Sequence, residues 1–253
     1  MSLNPHYALA VALPLILAAA PACAQSMEQT GASIEATTDY REDGLSWSDS
    51  APALRAEGTL ALSHDLSISA SVATLRGSRR HGGSDWGFTI APRYSTSAAG
   101  WDLSAGIAGH LFAGADDGAK GLDYVELEGR AARTLGPAQL ALGVSYAPSQ
   151  DAIGGSYGHA GADLGVGLPG TPITAYVGGG YAFGNSNGDA RSTRLRPDGN
   201  YANWYMGAEQ SFGPIAVGVL YSDTSINRHR AAAVEYGDKG TGERLSAYAR
   251  VSL

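Results

Sequence analysis

The sequence predicts an all-β fold, a transmembrane antiparallel up-and-down β-barrel of about 12 strands. Short segments in which apolar and polar residues alternate recur from Ile34 to Leu253, as in strands with one face toward lipid and one toward water. The connections are alternately short and long, which is typical of a barrel that turns tightly on one side of a membrane. Only 16% of the residues are charged, and Lys120 and Lys239 are the two lysines. This composition fits a wall that faces acyl chains.

The first 24 residues are predicted to be a signal peptide that is cleaved. Ala8 to Ala20 is an apolar run interrupted by Pro14, and the small-x-small site Ala22-Cys23-Ala24 follows it. The run is too short for a membrane-spanning helix. Lipidation of Cys23 is the weaker alternative. Cleavage leaves residues 25–253 as one barrel domain without cysteine, and so without disulfides or thiolate chemistry.

The charge balance and the absence of long apolar stretches exclude two classes of protein. The formal net charge is −7, which argues against nucleic-acid binding. No stretch after the signal peptide is long and apolar enough to form a membrane-spanning helix, so an inner-membrane helical protein is excluded.

A period of two in hydrophobicity defines each predicted strand in turn. In the second strand, for example, Leu54 and Leu60 share one face, while Arg55 and Glu57 share the other. The strands are predicted, in order, at residues 32–41, 53–63, 66–72, 86–94, 101–111, 125–131, 140–146, 160–168, 173–181, 202–212, 215–221 and 245–253. Ten and fourteen strands are the alternatives if one loop is misassigned.

Glycine, proline and polar residues define five short turns and six long loops. The short turns are predicted at residues 64–65, 95–100, 135–137, 169–172 and 213–214. The long loops are predicted at residues 42–51, 76–84, 113–121, 147–155, 184–199 and 223–242. An even strand count places both ends of the barrel domain on the side of the short turns, which is the periplasm in bacterial outer-membrane barrels.

The apolar face of these strands is predicted to point outward. A barrel of about 12 strands is wider than the roughly eight-stranded barrel whose interior side chains can fill, so the small apolar residues could not close its centre. Aromatic residues near strand ends on the apolar face are predicted to form interfacial girdles. They are Tyr40, Trp86, Trp101, Tyr146, Tyr181, Phe212 and Tyr221.

The segment at residues 36–46, with the sequence ATTDYREDGLS, is followed by Asp49 and Pro52-Ala53. It resembles the opening strand of the TorF-type porins, whose pattern is Asp-Tyr-Arg-x-x-Gly-hydrophobic-Ser. Glu42-Asp43 stands where that family often has an aromatic residue and an arginine. The resemblance covers about twenty residues. It implies a Gram-negative outer-membrane channel, and it brings neither a substrate nor catalytic residues.

Charged residues on the polar faces are the candidate pore-lining residues, because rows of facing charges set ion preference in pores. They are Glu35, Asp39, Arg41, Arg55, Glu57, Arg93, Asp102, Glu126, Glu128, Arg130, Asp163, Glu209 and Arg250. The alternative is that they pair across strands and only hold the wall together. The predicted pairs are Arg93 with Asp102, Arg55 or Arg41 with Glu57, and Glu35 with Arg250.

Two basic loops, 76–80 and 191–196, could bind lipopolysaccharide phosphates or attract anions. Ordinary solvated loop charge is the favoured interpretation. The five later histidines show no metal-binding spacing, and Asp116-Asp117-x-x-Lys120 is too sparse for a calcium loop. No metal or cofactor is therefore expected.

The sequence favours an outer-membrane channel for passive diffusion of small hydrophilic solutes or ions, through a lumen on the order of 10 Å wide. Outer-membrane lipids and lipopolysaccharide are the expected partners, and the oligomeric state stays open. A closed structural or adhesion barrel plugged by its long loops is the main alternative. A phospholipase-like enzyme is disfavoured, because no histidine has a serine two residues later on a lipid-facing strand. Arg55→Glu or Glu126→Lys is expected to change ion preference.

Overall fold

The computed structural model describes residues 30–114, 121–237 and 240–253, so the predicted signal peptide lies outside the described residues. The strands are β1 (Gly31–Thr37), β2 (Arg41–Glu42), β3 (Leu45–Ser46), β4 (Ala53–Ala61), β5 (Leu66–Ser78), β6 (Ser84–Ala98), β7 (Trp101–Ala113), β8 (Tyr124–Leu135), β9 (Ala138–Gln150), β10 (Gly155–Gly167), β11 (Ile173–Phe183), β12 (Tyr201–Phe212), β13 (Ile215–Thr224) and β14 (Arg244–Ser252). A short helix, α1 (Arg228–Ala233), lies between β13 and β14.

Twelve of these strands form one closed antiparallel barrel, and β2 and β3 form a separate two-stranded hairpin. Each barrel strand pairs with its chain neighbours. The barrel closes where β1 pairs with β14, with Glu35 opposite Arg250. The all-β prediction and the count of 12 barrel strands are confirmed.

The first predicted strand is too long. The alternation of residues 32–41 suggests an unbroken strand, but β1 ends at Thr37, and the chain leaves the wall to form the β2–β3 hairpin. A tight turn follows, in which Asp43 and Gly44 have φ of 49° and 80°. Two successive positive φ angles suit the turn of a two-residue hairpin, and Asp-Gly is a favoured pair there.

Short connections lie at one end of the barrel and long connections at the other, as predicted. For example, Gly136 separates β8 from β9 with φ of 60°. The longest described connections join β1 to β4, β11 to β12 and β13 to β14. We call the two ends the short-turn end and the long-loop end.

Alternate residues separate an apolar outer face from an inner face that is polar or packed. Val125 and Leu127 on β8 are about half exposed, whereas Tyr124 and Glu126 between them are buried. Inner-face side chains contact one another along the wall, as Arg250 on β14 does by reaching over β13 to Glu209 on β12. No helix among the described residues is long and apolar enough to cross a membrane.

Most of the predicted girdle residues lie on the outer face, but Tyr40 does not. Trp86, Tyr146, Tyr181 and Phe212 are exposed there. Tyr40 is 8% exposed, because the chain has left the wall by this point and carries its ring into the barrel. The prediction for Tyr40 is therefore wrong.

Three inner-face tyrosines each lie over a glycine on the neighbouring strand. Tyr176 is opposite Gly207, and Tyr205 is opposite Gly178. A Cβ atom added at either glycine would come within 2.5 Å of the tyrosine ring. Tyr248 is opposite Gly218 in the same way. The absent side chain lets each ring lie flat on the backbone of the wall.

We expect Gly218→Ala to lower the free energy of unfolding by about 1–3 kcal/mol, because overpacking displaces a well-packed neighbour. Tyr248 cannot yield freely, since its hydroxyl donates to Glu209 at 2.9 Å. Thermal unfolding, followed by heat-modifiable gel mobility, measures the effect. Gly143→Ala is the matched control, since no atom lies within 4 Å of a Cβ added there. Equal stability losses in both variants would contradict the role of the tyrosine contact.

Candidate functional site

The β2–β3 hairpin crosses the lumen near the long-loop end. It lies in the connection between β1 and β4, which are neighbours in the wall. At its tip, a Cβ added at Gly44 would lie 2.9 Å from Cβ of Asn203 on β12 and closer still to Thr224 on β13, and Asp43 reaches Tyr157 on β10, across the barrel from β1 and β4. Gly44 therefore permits a close approach that a side chain would prevent. The hairpin is a bar across the barrel.

The base of the hairpin is fixed by a buried carboxylate. Asp39 forms a salt bridge with Arg41 at 3.0 Å and lies 3.5 Å from Arg244 on β14. It also accepts a hydrogen bond from Ser46 Oγ at 2.6 Å and a longer one from Ser48. A buried charge needs such partners, because desolvation otherwise outweighs burial. This network joins the hairpin to the last strand of the wall.

The tip of the hairpin is held by tyrosine and histidine side chains of β10. Asp43 accepts a hydrogen bond from Tyr157 Oη at 2.6 Å, and its other carboxylate oxygen lies 3.3 Å from His159 Nδ1. The second nitrogen of His159 lies 3.2 Å from Asn203 Oδ1. Glu42 bonds the hydroxyl of Tyr40. Burial raises the pKa of both the Glu42 and the Asp43 carboxyl.

Apolar packing stabilises the position of the middle of the hairpin. Tyr40, Leu45 and Trp47 are at least 92% buried and belong to one hydrophobic cluster with residues from several loops and strands. The Trp47 ring lies 4.4 Å from the His81 ring and 6.1 Å from that of Phe112. Burial of a large side chain is worth about 1.5–3 kcal/mol, so these three residues hold the hairpin with several kcal/mol.

Two buried arginines tie the long loops together above this cluster. Arg194, from the loop between β11 and β12, donates to the carbonyls of Arg80, Leu122 and Ala152. Arg80 donates in return to the carbonyls of Arg194 and Ser46. Burial lowers the pKa of Arg194 to about 10, so it stays charged at neutral pH. The favoured prediction that both basic loops are simply solvated is wrong for these two residues, which are fully buried.

A small pocket of about 30 Å³ lies against the hairpin, which is room for at least one water molecule. Glu42, Asp43, Trp47, Glu126 and Tyr157 are among its lining residues. Next to it, Glu126 lies 3.0 Å from His110 Nε2, and Thr89 Oγ1 lies 3.2 Å from His110 Nδ1. This resembles a hydroxyl–base–carboxylate chain. The His110 ring itself is stacked at 4.5 Å on Tyr124, lies 6.1 Å from the Trp47 ring and is 6% exposed.

The lumen between the hairpin and the short-turn end, which we call the vestibule, is lined by ion pairs. Arg250 contacts Glu209 at 2.6 Å and Glu35 at 3.8 Å. Arg55 contacts Glu57 at 2.7 Å. The predicted pairs Glu35–Arg250 and Arg55–Glu57 are therefore present.

The predicted pair of Arg93 with Asp102 does not form. Arg93 bonds Glu128 at 2.6 Å, and Asp102 accepts a hydrogen bond from Ser97 at 2.8 Å. The strand register explains this, because Arg93 is opposite Gly106, which is in turn opposite Glu128. The glycine leaves the arginine room to reach over β7 to the next strand.

The 13 predicted pore-lining residues thus fall into two groups. Asp39 and Arg41 lie in the hairpin connection, off the barrel wall, and Glu126 is buried beside the hairpin. The other ten lie on wall strands around the vestibule, where Arg130 and Asp163 are exposed. They are Glu35, Arg55, Glu57, Arg93, Asp102, Glu128, Arg130, Asp163, Glu209 and Arg250.

The sequence reasoning missed the residues that dock the hairpin. Trp47, Tyr157 and His159 carried no recognised signal, because their roles depend on which loop enters the barrel. One signal was available in Asp43-Gly44, a hairpin-turn pair inside a segment that was interpreted as a loop. Within the described residues, no group of three or more histidine, cysteine or acidic side chains could hold a metal ion.

Solved structures share this architecture at low sequence identity. A structure described as KdgM porin aligns with 88% of this chain and 99% of its own, with a TM-score of 0.54 and 7% identity. The COG4313 outer membrane channel from Pseudomonas putida F1 aligns with 90% of this chain and 96% of its own, with a TM-score of 0.50 and 16% identity. These likenesses show an outer-membrane porin-like barrel fold.

No curated protein matches the chain in sequence. A family model does match, over residues 21–244, which is most of the chain. The match includes the hairpin and every barrel strand except β14, of which it includes only Arg244. The chain therefore belongs to the Gcw_chp family, described as bacterial proteins of unknown function.

Proposed function

We propose that the protein is an outer-membrane channel for small hydrophilic solutes or ions, and that the β2–β3 hairpin is its barrier. The observation that carries the proposal is the bar-like hairpin, which closes a barrel whose vestibule is polar. Inner charges are only partly buried, with side-chain exposures of 32% and 43% for Arg55 and Glu57. A barrel that served only as a wall would gain little from a hydrated, charged interior of this kind.

The orientation and location follow from the wall. The apolar outer face needs a membrane, and short turns face the periplasm in bacterial outer-membrane barrels. The hairpin therefore lies toward the cell exterior. The porin-like fold supports this location, as does the resemblance of residues 36–46 to the opening strand of TorF-type porins. Lipids and lipopolysaccharide are the proposed surroundings, and no catalytic activity is proposed.

The vestibule charges favour cations. Of the ten wall residues named above, six are carboxylates and four are arginines, a net charge of −2. Rings of acidic side chains favour cations in pores. Three of the arginines are engaged with glutamates, whereas Arg130 is exposed on the inner face of β8.

A planar bilayer recording tests the channel. Wild-type protein should give small, brief conductance steps with cation preference, because the hairpin closes the lumen most of the time. Arg130→Gln should shift the reversal potential in a salt gradient further toward cation preference. Arg133→Gln is the matched control, because the Arg133 guanidinium lies 5.9 Å from the Trp101 ring and its alternation on β8 places it on the outer face. Equal shifts in both variants would contradict the assignment of Arg130 to the ion path.

A closed structural barrel is the second candidate, favoured by one observation. The long-loop end is filled by a hydrophobic cluster and locked by Arg80 and Arg194. Silence of the wild-type protein in all salts, under conditions where a known porin conducts, would support this candidate over the channel.

A further inference from the structure

The inner wall of the vestibule is chemically asymmetric. Tyr176, Tyr205 and Tyr248 lie together on β11, β12 and β14. Elsewhere on the inner wall, β4 and β5 present the Arg55–Glu57 ion pair and a hydrogen bond of 3.0 Å between Thr59 and Ser69. The aromatic surface of the vestibule is therefore concentrated on β11, β12 and β14, beside the Arg250–Glu209 ion pair.

The three tyrosines are held rigidly. The hydroxyls of Tyr176 and Tyr248 lie 3.1 Å apart, and Tyr248 also donates to Glu209. Tyr205 donates to Asp163. The hydroxyl end of each ring covers a glycine of the neighbouring strand, and the Arg250 guanidinium lies 5.9 Å from the centre of the Tyr248 ring. All three residues remain partly exposed. Such preorganisation lowers the entropic cost of binding.

The need to cover glycines of the wall does not by itself explain the presence of these three tyrosines. Gly143 on β9 has no atom within 4 Å of an added Cβ, and the nearest atom at Gly165 on β10 is a threonine methyl at 4.0 Å. The wall thus tolerates uncovered glycines. The tyrosines are concentrated on one side, beside carboxylates that can accept hydrogen bonds.

We propose that Tyr176, Tyr205 and Tyr248, with Asp163 and Glu209, form a binding platform for saccharides. Aromatic faces pack against the apolar C–H face of a sugar ring, and carboxylates accept hydrogen bonds from its hydroxyls. The net negative charge of the vestibule disfavours anionic solutes. An uncharged ring with one apolar face and hydroxyls at its edge fits this arrangement. The inference deepens the proposed channel function by naming the class of solute.

Binding is measured on the full-length mature protein in detergent micelles, by saturation-transfer NMR and calorimetry with maltotriose and cellotriose. Because the platform lies between the hairpin and the short-turn end, binding of a solute that enters from that end requires no conductance. Tyr176→Leu and Tyr248→Leu should each weaken binding by about tenfold, or ~1.4 kcal/mol. Tyr181→Leu is the matched control, on the same strand as Tyr176 but on the outer face and 50% exposed. Heat-modifiable mobility verifies that each variant is folded.

The outcomes separate this site from the channel. Saccharide binding in a protein that does not conduct would uphold the platform and overturn the channel. Conduction without saccharide binding would overturn the platform and leave the channel intact. Tighter binding of choline than of either saccharide, or equal losses in Tyr181→Leu and Tyr176→Leu, would also overturn the platform. Tyr176→Phe, which keeps the ring, should retain most of the affinity if the stacked face is the main contact.

Discussion

Removing the β2–β3 hairpin should convert brief, small conductance steps into large and persistent ones. Thr37 and Ala53 are directly opposite each other where β1 pairs with β4. Residues 39–51 can therefore be replaced by a short Gly-Asn turn without altering the barrel hydrogen bonds. The hairpin spans the lumen between these strands and Asn203. Its deletion therefore removes the main obstruction that the described residues place in the lumen.

The size of this effect follows from the burial of the hairpin. Tyr40, Leu45 and Trp47 together contribute on the order of 5 kcal/mol of apolar burial, before the salt bridges of Asp39 are counted. A total change of ~5.5 kcal/mol moves a two-state equilibrium from about 99:1 to 1:99. We therefore expect the open fraction to change from rare to nearly complete.

A matched control keeps this prediction specific. Insertion of the same Gly-Asn turn after Gly188, whose surroundings are open, should leave wild-type conductance unchanged. Exclusion of polymers of graded size measures the opened diameter. Conductance that stays at the wild-type level in the hairpin deletion, with heat-modifiable mobility intact, would show that the barrier lies elsewhere.

The barrel wall was predictable from the sequence because its signals are local. A strand such as β7 shows the alternation of Leu103, Ala105 and Ile107 outward with smaller or polar residues inward. Four of the five predicted short turns carry a glycine or proline, as at Gly136-Pro137. An antiparallel barrel adds only pairing between chain neighbours, so local patterns fix most of its topology.

The contents of the barrel were not predictable, because they depend on contacts between segments far apart in the chain. Tyr40 continues the alternation of β1, and only the tertiary fold reveals that its ring turns inward. Arg80 and Arg194 look like solvated loop charges, yet each donates to a carbonyl of the other across 114 residues of sequence. No periodicity in the sequence predicts such a tertiary contact.

The ion pairs show the same limit on what the sequence can predict. Glu35 with Arg250 was predictable, since the first and last strands of a closed barrel must meet. Arg93 with Glu128 was not, because it skips a strand and depends on Gly106 lying between the two side chains. Pairs between adjacent strands can be inferred from the order of strands, whereas pairs that bridge a glycine require the register.

Raising the pH should open the wild-type channel. Burial raises the pKa of Glu42 and Asp43 in the closed state, while a hairpin released into water would return them toward the ordinary values of 4.5 and 3.8. The closed state therefore binds protons more tightly than the open state. Its extra stability is fully present below the ordinary values and is lost as the pH rises through the raised ones.

The charged and titratable groups that face these carboxylates come from the hairpin and from several wall strands. Glu42 faces Tyr40, His110 and Arg55. Asp43 faces His159, Tyr157, Glu126 and Asp163.

The open fraction in bilayer recordings should therefore rise several-fold between about pH 4.5, the ordinary Glu value, and neutral pH. The double variant Glu42→Gln with Asp43→Asn removes both carboxyl groups, so its open fraction should lose most of this dependence. Asp102→Asn is the matched control, because this carboxylate lies beside the short turn at residues 99–100, where it accepts a hydrogen bond from Ser97. A full pH dependence in the double variant would show that the titrating groups lie outside the hairpin tip, and opening at low pH would reverse the sign argued here.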